Sequence, residues 1–176
     1  MAIIVQVMIM IVLAVTVLGC ISDIRSLRIP NAYSLIVIAC FVPAWSAEPR
    51  NFAPLWDHLA AMAIIFSITY AMFTAGMMGG GDSKFGTALG LWVGLKGLLP
   101  FVFYMALMGG ILGAVALGLR NKKLFSNPIP GSWVEQLQSG QNAVPYGVAI
   151  SLGCWASFLH TGLLDHQLNE VFKIIH

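Results

Sequence analysis

Residues 2–21 read AIIVQVMIMIVLAVTVLGCI, a run of twenty positions without a charged side chain. A bilayer core is about 30 Å thick, and a helix that crosses it needs ~17–25 mostly apolar residues. The run therefore reads as a transmembrane helix. Its basic residues follow it, at Arg25 and Arg28, whereas a cleaved secretory signal has a basic start. Val17-Leu18-Gly19-Cys20 loosely resembles a lipoprotein cleavage box, but with the charges on the wrong side it is read as part of an uncleaved span.

Working outward, five more segments are apolar enough to span or nearly so: about Asn31 to Ala47, about Leu55 to Met78, Phe85 to Leu99, Phe101 to Leu119, and about Val144 to Leu164. Phe85 to Leu99 is short, ~22 Å at 1.5 Å per residue, and Pro100 marks its expected end. In lipid every backbone group must be satisfied within the protein, which helices do for themselves. The expectation is an all-α polytopic membrane helix bundle of about six transmembrane helices, with residues 1–176 forming a single integral-membrane domain.

Composition agrees. Of 176 residues 59% are hydrophobic and 9% charged, and the mean hydropathy is +0.85. Soluble domains run near ~25% charged. A soluble enzyme, a disordered regulator and a nucleic-acid-binding module are excluded, and a net charge of +2 offers nothing to a polyanion. Cys20, Cys40 and Cys154 form no CxxC pair and read as small apolar packing residues.

Positive charge sets the orientation. With the N-terminus outside, the cytoplasmic loops hold Arg25, Arg28, Lys84, Arg120, Lys122 and Lys123, against Arg50, Lys96 and Lys173 outside. Both termini are expected outside. Asn121 to Ala143 reads as a cytoplasmic loop, turned by Asn127-Pro128-Ile129-Pro130-Gly131. Leu164, Leu168, Val171, Phe172 and Ile175 fall at helical spacing, as in a short interfacial helix. Gly86, Gly90 and Gly94, and separately Gly109 and Gly113, make GxxxG steps that let helix backbones approach closely.

Carboxylates are few enough to weigh one by one. Glu48, Asp57, Asp165 and Glu170 fall on the outer side and Glu135 in the long loop. Asp23 and Asp82 remain, both beside helix ends on the cytoplasmic side. Acids next to a bilayer are costly and often functional. Asp82 closes Gly79-Gly80-Gly81-Asp82, a GxGD pattern followed by Ser83-Lys84, with the fourth helix expected to start at or just after the acid. Asp23 follows the first span in Ser22-Asp23-Ile24-Arg25-Ser26-Leu27-Arg28-Ile29-Pro30-Asn31. The histidines His58, His160, His166 and His176 show no HExxH or other metal spacing, and no GxSxG elbow flanks the serines.

An Asp followed by Pro-Asn near the start of the second span, with a GGGDxK segment opening a later one, resembles the type IV prepilin peptidases, membrane aspartyl proteases of the GxGD class. Val144-Pro145-Tyr146-Gly147 also resembles a segment common in that family. The resemblance implies Asp23 and Asp82 as catalytic pair, Gly79, Gly80, Gly81, Lys84, Pro30 and Asn31 as motif or substrate-binding residues, and no metal or other cofactor. It implies as partners a prepilin, with its leader peptide and hydrophobic helix, and the lipid bilayer, but no nucleic acid. It places the protein in the inner membrane with its site on the cytoplasmic side. No CxxC or paired-cysteine region like that of the family's long form stands in the sequence, so it looks like the short branch serving tight-adherence (Flp-type) pili or like preflagellin peptidases, and the resemblance does not carry methyltransferase activity over to it.

The chemistry of two acids fits this reading. Close carboxyls do not readily ionise together, so one can accept a proton from water while the other polarises a scissile carbonyl. Two alternatives stay open. A presenilin-like protease would pair GxGD with Tyr-Asp in the preceding span, where this chain has Tyr70-Ala71. A transporter built on a broken helix would place its acids near mid-membrane.

Overall fold

A computed structural model describes residues 2–49, 52–122, 125–141 and 143–164. It contains α1 (Ala2–Ser26), α2 (Asn31–Ala47), α3 (Leu55–Thr74), α4 (Gly80–Leu119), α5 (Trp133–Gln138) and α6 (Tyr146–His160), with no strand among the described residues. Ile3–Ser26, Leu55–Thr74 and Gly80–Leu119 are long and apolar enough to cross a membrane, and Asn31–Ala47 is a shorter apolar helix. The protein is an all-helical membrane bundle. The interfacial helix expected near the C-terminus lies, past Leu164, outside the described residues.

α1 is longer than its apolar run. Polarity ends the hydrophobic stretch near Ile21, but the helix continues to Ser26, where the Ser26 hydroxyl donates to Ser22 O at 2.8 Å. Leu27, at φ 50°, then turns the chain toward Pro30. Val5, Ile9, Val12, Thr16 and Asp23 are buried and share one face of α1, since their spacings are multiples of the helical steps of three and four. Asp23 therefore continues the core stripe, while Ile3, Met10, Leu18 and Ile24 face outward.

α3 stops at Thr74 instead of near Met78. Gly76 adopts φ 71°, and the Gly76 and Met77 amides return to Phe73 O (3.0 Å) and Met72 O (2.9 Å). This is the paired hydrogen bonding of a glycine-terminated helix.

The largest departure is in α4. The expected break at Pro100 is not there: Pro100 sits inside helix, and the non-helical residue is Gly94, at φ 63° and ψ 177°. The chain reverses at this residue. A methyl group on Gly86 would lie 3.7 Å from Ile150 Cδ1 on α6, and one on Gly153, a turn later on α6, would meet Phe101 O at 2.8 Å and Met105 N at 3.0 Å. In a straight helix Gly86 and Met105 would be about 28 Å apart, so residues 80–93 and 95–119 must be two arms folded against α6. Gly94 is the hinge and not a third step of the packing stripe. Gly86 and Gly90 do face α3, against Thr69 and Ile65.

Two neighbouring residues of α3 close the break. The Asp57 carboxylate accepts the Leu95 N–H at 2.9 Å, capping the second arm. His58 Nδ1 donates to Leu91 O at 2.8 Å, satisfying a carbonyl that the first arm leaves free. The long loop also holds more order than expected. Ser132 caps α5 by accepting the Glu135 N–H, and Glu135 Oε2 accepts the Gly131 N–H at 2.6 Å. The signature was present as Ser-x-x-Glu.

Candidate active site

The C-terminal end of α1, the N-termini of α2, α4 and α6, and the C-terminal end of α3 meet at one end of the bundle. Asp23 is 2% exposed and lies within the last turn of α1, not beyond it. Its Oδ2 accepts the Gly147 N–H of α6 at 2.6 Å. Asp82 sits in the first turn of α4, which starts at Gly80 and so before the acid rather than after it. Its Oδ2 accepts the Gly79 N–H at 3.2 Å, so each acid carries one backbone donor.

The two carboxyls line the same cavity of about 450 Å³, together with Leu27, Met78, Gly79 and Tyr146. A second cavity of about 480 Å³ adjoins it, sharing Leu27, Gly79 and Asp82, and is walled by Arg28, Ile29, Pro30, Asn31, Gly80 and Gly81. Asp82 stands where the two meet.

The glycines have unequal reasons. A methyl on Gly81 would lie 2.9 Å from Ile29 O, one on Gly79 would lie 2.9 Å from Asp82 Oδ2, and one on Gly80 would meet only the Phe73 ring, at 3.4 Å. Gly81 thus lets the first turn of α4 press against the backbone that joins α1 to α2. Lys84 does not line either cavity; its Nζ donates to Asn31 Oδ1 at 3.2 Å and ties α4 to the start of α2. Of the motif residues singled out in the sequence, the structure brings Asp23, Asp82, Gly79, Gly80, Gly81, Pro30 and Asn31 around this paired cavity and anchors Lys84 to its wall.

Flanking serines serve the backbone. Ser22 Oγ donates to Arg28 O at 2.7 Å, and Ser83 Oγ pairs with Thr69 Oγ1 at 3.0 Å. Among the described residues no group of three or more His, Cys, Asp or Glu side chains is placed to hold a metal ion. Gly147 had no role assigned from the sequence, although the segment containing it stood out there.

The sequence pattern of the type IV leader peptidase family matches residues 9–114, the stretch that carries both acids. The chain belongs to the type IV leader peptidase family. Two curated relatives agree. The prepilin leader peptidase/N-methyltransferase of Bacillus subtilis is 28% identical over 151 residues, covering 80% of this chain and 59% of that protein. The protein of the same name from Xanthomonas campestris pv. campestris is 43% identical over 53 residues, 30% of this chain and 18% of that protein. The chain thus spans less than two thirds of the length of either relative. No solved structure matches it. As a type IV leader peptidase family member, the chain carries an acid pair at one end of a helical membrane bundle.

Proposed function

We propose that this protein is a membrane aspartyl endopeptidase that removes the short leader of type IV prepilins, with Asp23 and Asp82 as its catalytic dyad. The observation that carries the reading is the sharing of one cavity by these two acids, which arrive from α1 and α4. One carboxyl, ionised, takes a proton from a water molecule as its oxygen attacks the scissile carbonyl carbon. The other, protonated, gives its proton to the carbonyl oxygen. The first carboxyl then passes its proton to the amide nitrogen while a hydroxyl of the tetrahedral intermediate returns one to the second, and the C–N bond breaks to release the leader. The two groups act as one coupled unit.

The Lys/Arg asymmetry supports an orientation with this end of the bundle on the cytoplasmic side, where a leader preceding a membrane-embedded pilin helix would lie. The adjoining cavity gives an extended main chain room past Gly79, Gly80 and Gly81. A small residue, such as glycine, beside the cut adds no side chain there. Flp-type prepilins are the substrates to which the motif resemblance points.

The test is co-expression with candidate prepilins from the same source, reading mature N-termini by mass spectrometry. Asp23→Asn and Asp82→Asn each abolish cleavage while the protein stays inserted. The double variant is no worse than either single, because residues acting as a unit do not add. Substantial cleavage by either single variant would refute the dyad.

A further inference from the structure

A catalytic carboxyl must be aimed as well as present, and Asp23 stands on a helix whose neighbours are almost all apolar. Its one backbone donor comes from another element. Pro145 precedes α6, and Gly147 lies in the helix's first turn, where amide groups have no partner within the helix. The Gly147 N–H is given to Asp23 Oδ2 at 2.6 Å, across 124 residues of sequence and fully buried. The side-chain position of Gly147 is filled by the same residue: a methyl there would lie 2.9 Å from Asp23 Oδ2, 3.1 Å from Asp23 Cβ and 2.6 Å from Ile29 Cδ1. The Ile29 methyl is the free end of a flexible chain and can move. Asp23 Cβ is attached to the helix backbone and can move only by shifting α1 or the whole carboxyl.

We infer that Gly147 is a positioning residue for Asp23: its N–H holds Oδ2, its missing side chain lets α6 approach closely enough to do so, and the other carboxyl oxygen is thereby presented to the cavity shared with Asp82. The inference rests on the proposed role of Asp23. α6 then does more than complete the bundle. Tyr146, the residue before Gly147, lines the same cavity, so the first turn of α6 both aims one acid and walls the space in which it works.

The experiment compares steady-state cleavage of a prepilin substrate by the full chain in proteoliposomes for wild type, Gly147→Ala, Gly147→Pro, the double variant Ile29→Ala/Gly147→Ala, and Gly113→Ala. Gly113 has open space around it, so Gly113→Ala reports what an added methyl does on a helix away from the site. It is expected to match wild type. Gly147→Ala displaces the carboxyl and lowers kcat by at least ~10-fold, in line with the sensitivity of positioned groups to shifts of an ångström or less, with KM within about twofold. Gly147→Pro also deletes the N–H, which in the first turn is not used by the helix itself, and lowers kcat further. In both, the pH profile of kcat/KM is displaced from that of wild type, because a hydrogen bond to a titrating carboxyl has been altered. A merely structural glycine would lower the amount of inserted protein without moving that profile.

The double variant removes the closest contact and keeps the contact with Asp23. It is expected to insert normally and to retain the full defect. It also supplies the measurement if Gly147→Ala alone accumulates poorly. Recovery of wild-type kcat in the double variant, or an unchanged kcat and pH profile in Gly147→Ala and Gly147→Pro, overturns the inference. Asp23→Asn separates the two layers. If it is inactive while the Gly147 variants are normal, only the positioning role fails; if it is active, the dyad itself fails.

Discussion

The carboxylate of Asp57 on α3 accepts the N–H of Leu95 at 2.9 Å and so caps a helix that it does not belong to. That bond satisfies an amide that the reversal at Gly94 leaves without a partner in its own helix. Asp57→Ala removes the cap from a part-buried donor and is expected to lower stability by about 0.5–2 kcal/mol. Asp57→Asn keeps an acceptor oxygen and is expected to lose less. Thermal unfolding in detergent checks both. An alanine variant as stable as wild type would remove the cap from the account.

The turn itself is tested by moving its expected position. Gly94→Ala forces a side chain into a left-handed conformation, a cost of about 1–3 kcal/mol, and puts a methyl 2.8 Å from Asp57 Oδ1. Pro100→Ala restores a backbone donor within a helix, where proline is disfavoured, and is expected to be neutral or stabilising. The same unfolding measurement decides. If Pro100→Ala were the damaging change, the chain would be turning at the proline.

The three glycines before Asp82 should not respond alike. Gly80→Ala meets only a movable ring within the protein and is expected to lose the least cleavage of the three. Gly81→Ala meets a backbone oxygen and Gly79→Ala meets the Asp82 carboxyl, so both should lose most cleavage. Initial rates on one prepilin rank the three. Equal effects at all three would mean that the run serves flexibility and not close approach.

Lys84 and Asn31 form an exposed hydrogen bond. Such pairs contribute little stability, under about 1 kcal/mol, so Lys84→Met and Asn31→Ala should barely alter the melting temperature. If the tie holds the wall of the second cavity, each lowers cleavage to a similar degree and the double variant falls no further. Additive losses would show that the residues act separately.

Much of this could be read along the chain. α2 matches its apolar run from Asn31 to Ala47 at both ends, because bilayer thickness and Pro30 leave little choice. The end of α3 at Thr74, expected near Met78, and the small helix α5, expected as loop, were both missed, although Gly76, Ser132 and Glu135 mark them by local capping chemistry. Both acids stood out because an apolar chain spends few charges. The end of α1 was misread for the converse reason. Apolarity marks where lipid begins and ends, and a helix running on against protein need not stop there.

What the sequence by itself determined is a helical membrane bundle and the family's two acidic motifs, since hydropathy, helix caps and short motifs are properties of neighbouring residues. Only the tertiary structure decided that the chain reverses at Gly94, that Asp57 and His58 serve the break, and that Gly147 holds Asp23. Each depends on a donor and an acceptor that lie dozens of residues apart. In a bundle with almost no water to satisfy them, such groups must find one another across helices, and no local pattern records which pairs do.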